Sequence, residues 1–190
     1  MFNDAYGLTA AVLTGKKTMT RRIIPQEFFS LTWDMRDDTL VYENDFGDFI
    51  DIRESKYARY KVGEVVAVAR PYESIIEFGT YEKLEKARNS AGWNNKMFVK
   101  ADAMEDHIRI TDVHVERLQD ISDEDCIKEG IINLRALGKY YFDGWKGLYS
   151  TPRDAFASLI DKVSGRGTWA RNPWVVAYEY ELVKQQNSRI

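Results

Sequence analysis

One stretch constrains the fold more than any other: "HIRITDVHVERLQD", residues 107–120. Apolar residues alternate with polar ones, the period of a strand with one buried face. The alternation then changes parity, because Ile108 and Ile110 occupy even positions while Val113 and Val115 occupy odd ones. A slip of one residue turns side chains to the opposite face of a strand. A bulge or sharp bend near Thr111 and Asp112 would return both pairs to the core. A long strand that turns a corner is what a small closed or half-closed barrel requires.

The remaining segments read as short strands with a few helices. Residues 4–14 predict a helix with Tyr6, Ala10 and Leu13 near one face, and Gly15 fits the position just past its end. "RRII" before Pro25 reads as the first strand. Residues 28–53 predict a β-ribbon insertion: "FFSLTWDM" and "TLVYEND" flank a turn at Asp37-Asp38, and "FIDIR" follows Gly47. Residues 65–69 predict a buried strand, "TYEKLEKARN" an exposed helix, and "KMFVKA" a strand. "SDEDCIKEG" is a short helix with Ser122 as N-cap and Gly130 beyond its end. "TPRDAFASLIDKVSG" is the clearest helix, with Thr151 as cap, Pro152 at the first position and a stripe of Phe156, Leu159, Ile160 and Val163. The final strand, "WVVAYEYELV", places Trp174, Val176, Tyr178, Tyr180 and Leu182 on one face, with the other face partly buried. The tail after Val183 reads as a frayed end. Together these imply an α+β fold: a small barrel of mixed, mostly antiparallel strands, with peripheral helices and a ribbon insertion, as a single domain over residues 1–190.

Composition excludes several classes. A net charge of −3 and a pI near 5.5 argue against coating nucleic acid by bulk charge, and leave room for a local basic pocket. One cysteine, Cys126, rules out an internal disulfide framework. With only His107 and His114 beside it, a zinc-type cluster has too few ligands, and no metal or cofactor is expected. The positive charges follow the first apolar stretch, the reverse of a signal peptide, and no apolar run approaches the roughly 20 residues that span a bilayer. A cytoplasmic protein without membrane partners is the expectation.

Against that acidic background stands "GKKTMTRR", residues 15–22. It gathers Lys16, Lys17, Arg21 and Arg22 around Thr18 and Thr20 where the first helix stops and the first strand begins. Alternation along a strand aims Lys17, Thr20 and Arg22 toward one cleft and turns Lys16 and Arg21 to solvent. Arg22 suits a buried carboxylate anchor as well as a ligand. Trp169 and Trp174, near "RNPW", fit core or rim packing, and base stacking by one of them is a second use.

"LTGKKTMTRR", "YKVGEVVAV", "IRITDVHVERLQDISDEDCIKEGI" and "NPWVVAYEYEL" together resemble the ASCH domain, in the longer form found in phages and bacterial genomes. The resemblance implies a PUA-like β-barrel, with residues 28–53 and 72–95 as insertions. It implies a cleft that binds RNA, a nucleotide or a modified nucleoside, with Gly15, Lys17, Thr18, Thr20, Arg22 and Arg70 as ligand-binding positions. A subgroup of the family are amidohydrolases that remove the acetyl group from acetylated cytidine. By motif, their catalytic Lys, Thr and Glu fall on Lys17, Thr20 and Glu129. A desolvated lysine can serve as base to a threonine nucleophile, with the glutamate orienting it or managing protons on the leaving amine. The chain departs from the longer members after "VGE", where an R-E pair is replaced by "AVARPYE" and Arg70 and Glu73 stand at shifted positions. A phage accessory protein whose insertions bind another protein is a third reading.

Overall fold

The computed structural model describes residues 2–75 and 81–184. In chain order the elements are α1 (Leu8–Leu13), β1 (Met19–Ile23), β2 (Trp33–Arg36), β3 (Thr39–Glu43), β4 (Phe49–Asp51), β5 (Val65–Ala67), α2 (Tyr81–Arg88), β6 (Asp106–Arg117), α3 (Asp123–Lys128), β7 (Ile132–Leu134), β8 (Lys139–Tyr141), α4 (Pro152–Ser164), α5 (Thr168–Arg171) and β9 (Trp174–Lys184). Short 3₁₀ turns join many of them. This is an α+β arrangement, and the strand pairs whose register is described are antiparallel. Among the described residues, no helix is long and apolar enough to cross a membrane.

The chain divides into two compact units. The larger holds Phe2–Glu64 and Ile110–Glu181, and the smaller holds Val65–Arg109 and the chain from Leu182 onward. In the larger unit β1, β9 and β6 are neighbours in that order, and β1 pairs with β9 from Met19 opposite Glu179 to Ile23 opposite Val175. In the smaller unit β5 pairs with the start of β6, from Val65 opposite Arg109 to Ala67 opposite His107.

β6 shows the inferred change of parity: Ile108, Ile110, Val113 and Val115 are all buried, and the consecutive exposed pair Thr111 and Asp112 absorbs the slip. The ribbon forms as β2–β3–β4, and its first turn is a two-residue hairpin in which Asp37 and Asp38 both adopt positive φ, 46° and 58°. Edge-to-face contacts among Phe28, Phe29, Trp33, Tyr42 and Tyr57 hold it, with Phe28, Leu40 and Ile52 fully buried. α4 is capped by Thr151, whose Oγ1 accepts the Asp154 N–H, and carries Pro152 at its first turn. Its buried Ala155, Phe156, Leu159 and Ile160 join Leu8, Leu118, Ile121, Phe142 and Val175 in one core. Each large side chain there contributes about 1.5–3 kcal/mol by leaving water. Cys126 lies in the same core, and burial pushes its thiol up to about 12.

Three local expectations are corrected. Gly7, at φ +64°, splits the first helix into a 3₁₀ turn and α1, which closes at Leu13. "KMFVKA" forms a 3₁₀ turn at Lys96–Phe98, which Asn95 caps by accepting from Met97 N–H, and runs into a second at Ala101–Ala103. β5 is only three residues long, with Val65 exposed and Val66 and Ala67 half-buried, and one further bond from Val68 N–H to Asp106 O. The second face of β9 is partly buried as expected: Val175 and Ala177 are buried, Glu179 is half-buried and Glu181 is exposed. The expected frayed tail lies outside the described residues from 185 onward, as do residues 76–80 of the second insertion.

Candidate functional site

The basic segment takes its shape from two helix ends. α1 stops at Thr14, and Gly15 takes φ +69°, a conformation that costs a glycine little. The backbone N–H groups of Lys16 and Lys17 both return to the Ala11 carbonyl. The chain then crosses the C-terminal end of α3, whose last carbonyls have no partner within the helix. Thr18 N–H donates to Lys128 O at 2.9 Å, and the Lys17 ammonium donates to Glu129 O at 2.8 Å. Gly130 follows at φ +105°, and a Cβ there would stand 3.4 Å from Leu8 Cδ2 and 3.6 Å from Lys17 Cδ. Those are ordinary contact distances, so it is the positive φ rather than crowding that calls for glycine here.

Lys17 is 2% exposed, and its Nζ donates to Met19 O at 2.7 Å and to Glu129 Oε2 at 2.5 Å as well as to Glu129 O. Burial pushes its ammonium below the usual lysine range, and the charge and hydrogen bond of Glu129 oppose that shift. Glu129 uses both carboxylate oxygens, because Oε1 accepts from Arg21 Nη1 at 3.2 Å. Arg21 reaches further, to Glu116 at 2.5 Å and Asp125 at 3.1 Å. Lys128 extends the network to Glu179 at 2.7 Å. Taking charges out of water costs several kcal/mol per ion, so a network this dry persists only because nearly every charge has a close opposite partner.

Arg21 corrects the sequence reading, which turned it to solvent. Its side chain is 1% exposed. Met19 and Arg21 share the face of β1 that looks onto α3 and onto Glu116 of β6, and that face is a pocket of carboxylates. Lys16 is exposed as expected. It also lines a cavity of about 390 Å³ whose other walls include Tyr6, Ala10, Gly130, Asn133 and the carboxylate residue Asp143.

The two positions farthest apart in the predicted trio are therefore in direct contact, Lys17 with Glu129. Thr20 is buried at 8% on the opposite face of β1, level with Tyr178 of β9, and among the described residues it makes no hydrogen bond to Lys17 or Glu129. Arg22 is half-buried on the Thr20 face, opposite Val176. Thr18 acts through its backbone, since its carbonyl also accepts the Tyr180 N–H at 2.9 Å. Gly15 is exposed with open space around it. Arg70 belongs to the smaller unit, where it pairs with Asp106 at 3.4 Å.

Sequence reasoning missed Arg21, Glu116, Asp125 and Tyr180. The Tyr180 hydroxyl is buried with no partner among the described residues, its ring rests 5.8 Å from Phe2, and burial together with the nearby Glu129 charge pushes its phenol well up. The acids of "SDEDCIKEG" were the available signal for Arg21, but only the packing of α3 against β1 turns them into partners. Among the described residues, no cluster of His, Cys, Asp and Glu is arranged to hold a metal ion. Comparison with known proteins returns no match to a family model, a curated protein or a solved structure.

Proposed function

We propose that the chain is an ASCH-type protein with a PUA-like barrel, and that it binds RNA, a nucleotide or a modified nucleoside beside residues 15–22 and 129–130. One observation carries this reading: Lys17 and Glu129, 112 residues apart in sequence, meet in a buried 2.5 Å contact. Those are the positions that the ASCH resemblance pairs. Since Lys17 gives its N–H groups to protein acceptors, its role is to position the turn, and contact with a ligand phosphate falls to Lys16 at the adjoining cavity. The test is fluorescence anisotropy with a labelled RNA oligonucleotide and with cytidine nucleotides at low salt, where phosphate contacts are strongest. Binding that falls with Lys16→Glu supports the reading. Absence of binding by the wild-type protein, or binding indifferent to Lys16→Glu, overturns it.

The second reading, an amidohydrolase acting on acetylated cytidine, is favoured by the downward push of burial on Lys17. A short, dry contact to Glu129 offers the ammonium proton an acceptor without solvent. The neutral amine would take the Thr20 hydroxyl proton as Oγ1 attacks the acetyl carbonyl, a transfer that needs a bridging water or substrate group, because Thr20 lies on the opposite face of β1 and makes no hydrogen bond to Lys17 among the described residues. That proton would then pass to the departing cytidine amine, and water would release acetate from Thr20. Arg21 opposes this path, because its charge stabilises the Glu129 carboxylate. Release of acetate by the wild-type protein, lost in Thr20→Val with the fold retained by circular dichroism, supports this reading. No turnover, or turnover preserved in Thr20→Val, ends it.

A further inference from the structure

A second concave surface, built from different elements, has the opposite character to the Glu129 network. It is a cavity of about 620 Å³ in the larger unit, within the roughly 300–1,000 Å³ typical of small-ligand sites. Its walls include Phe29, Trp33 and Trp174 together with Arg117 and Arg171, and among the described residues no carboxylate lines it. Two guanidinium groups beside two indoles, with no carboxylate in the cavity wall and Asp161 acting on Arg171 from outside that wall, are a local exception in a chain of net charge −3.

The geometry leaves these groups usable. Arg117 is exposed, and its guanidinium sits 4.4 Å from the centroid of the Trp174 ring. Its Nη1 donates to Asn172 O at 3.2 Å, which leaves most of its N–H donors for an incoming acceptor. Arg171 is also exposed and donates to Thr168 Oγ1 at 3.0 Å and Arg166 O at 3.4 Å. Trp33, 39% exposed on β2, presents an indole that the edge of Phe29 meets on one side. The Trp174 Nε1–H is buried without an acceptor among the described residues. A flat apolar surface next to free guanidinium donors matches a flat apolar ring joined to an anion.

We propose that this cavity is a second ligand site that takes a nucleotide unit, its base stacked against the indole of Trp33 or Trp174 and its phosphate on Arg117 and Arg171. A duplex hides base faces within its own stack, so the unit comes from a single strand or from a free nucleotide. The site shares its ligand class with the proposed function and none of its residues, so the two stand or fall separately. Trp33 and Trp174 come from segments distant in sequence, the ribbon and the start of β9. The ribbon therefore completes the cavity that the end of the sheet begins.

The experiment is anisotropy titration at low salt with labelled single-stranded RNA and DNA oligonucleotides, with cytidine and adenosine monophosphates as competitors. It is run on wild type, Trp33→Ala, Arg117→Ala, Arg117→Lys and Lys16→Glu. Loss of one stacking partner is expected to weaken strand binding by about 5- to 150-fold. Arg117→Ala should weaken it as well and flatten its salt dependence, while Arg117→Lys, which keeps the charge and loses the planar fork, should fall between Arg117→Ala and wild type. Competition by monophosphates with the same variant dependence assigns the site to free nucleotides, and strand binding without such competition assigns it to a single strand. Either result upholds the proposal. Binding unchanged in both Trp33→Ala and Arg117→Ala overturns it, even where Lys16→Glu abolishes binding and so upholds the first site. Failure of any nucleotide or strand to bind, with an acidic peptide bound in a Trp33- and Arg117-dependent way, overturns it in favour of a protein partner.

Discussion

Two regions of the larger unit use arginine beside buried or half-buried partners, and they do opposite things with it. Around Glu129, Arg21 and Lys17 are almost wholly withdrawn from water, and carboxylates from α3 and β6 answer their charges. Around Trp174, Arg117 and Arg171 remain exposed; Arg117 lies against the Trp174 ring, and Arg171 feels the half-buried Asp161 carboxylate. The residue type is the same, yet the first pair of cations is committed to the fold and the second remains available. What separates them is the identity of the facing groups. A buried cation without an opposite charge is too costly to keep, whereas an exposed one on an indole needs no such partner.

The sharpest way to break this comparison is to remove the carboxylate on which the first region depends. Glu129→Ala leaves Lys17 without a carboxylate partner in a dry setting and takes from Arg21 one of its three, while Glu116 and Asp125 remain. It should destabilise the protein by about 3–5 kcal/mol, the usual effect of stripping one member from a buried pair. Urea denaturation followed by tryptophan fluorescence measures this, and a loss below about 1 kcal/mol would mean that water reaches the network freely. Lys17→Met is expected to cost less, about 1–3 kcal/mol, because Glu129 keeps Arg21 while the carbonyls of Met19 and Glu129 lose their donor. If Lys17→Met proves the more damaging of the two, Glu129 is not the hub of the network.

A third measurement tests how the second region is held. Asp161 accepts N–H groups from Trp169 and Gly167, at 2.8 and 2.9 Å, and so fixes the start of α5, the helix that carries Arg171. The Trp169 N–H foremost, with help from Gly167, holds the Asp161 carboxyl below the usual carboxylate range. A carboxyl depressed in the folded state contributes stability that is fully present above its unfolded value near 3.8. That stability is lost as the pH falls through the lower folded value. Asp161→Asn should therefore cost about 1 kcal/mol at neutral pH, the scale of a lost helix cap, and should bring the stabilities of variant and wild type together at acid pH. Thermal melts at neutral and acid pH would show a constant gap if the contribution came from packing instead.

Much of the scaffold was legible in the chain, for reasons that differ from element to element. α4 announces itself because cap, proline, apolar stripe and terminal glycine all agree locally. The parity change of β6 was readable because burial alone dictates which side chains point inward. "KMFVKA" misled because its apolar residues fit a strand while Asn95 bonds the backbone of Met97 and starts a turn, a competition that alternation does not register. At the candidate site, Lys17 and Glu129 came from motif resemblance and not from any local pattern. Arg21 was misplaced because strand alternation was read as one wet face and one dry face, when the face it occupies is dry and acidic. Charge partners brought together by tertiary packing leave no period in the sequence.

The smallest expected effect is also the one that divides the regions most cleanly. Arg117→Ala removes an exposed guanidinium, one hydrogen bond to Asn172 O and a contact with the Trp174 ring. An exposed cation–aromatic contact contributes about 0.5–1 kcal/mol, so folding stability should change by no more than about that amount. Arg21→Ala, which strips a guanidinium from three carboxylates, should cost several times as much by the same urea measurement. If the two substitutions proved equal in stability, Arg117 would be a structural arginine like Arg21, and the Trp174 cavity would lose its claim to hold cations in reserve. A small stability change in Arg117→Ala, set beside a large one in Arg21→Ala, is what an arginine kept for a ligand requires.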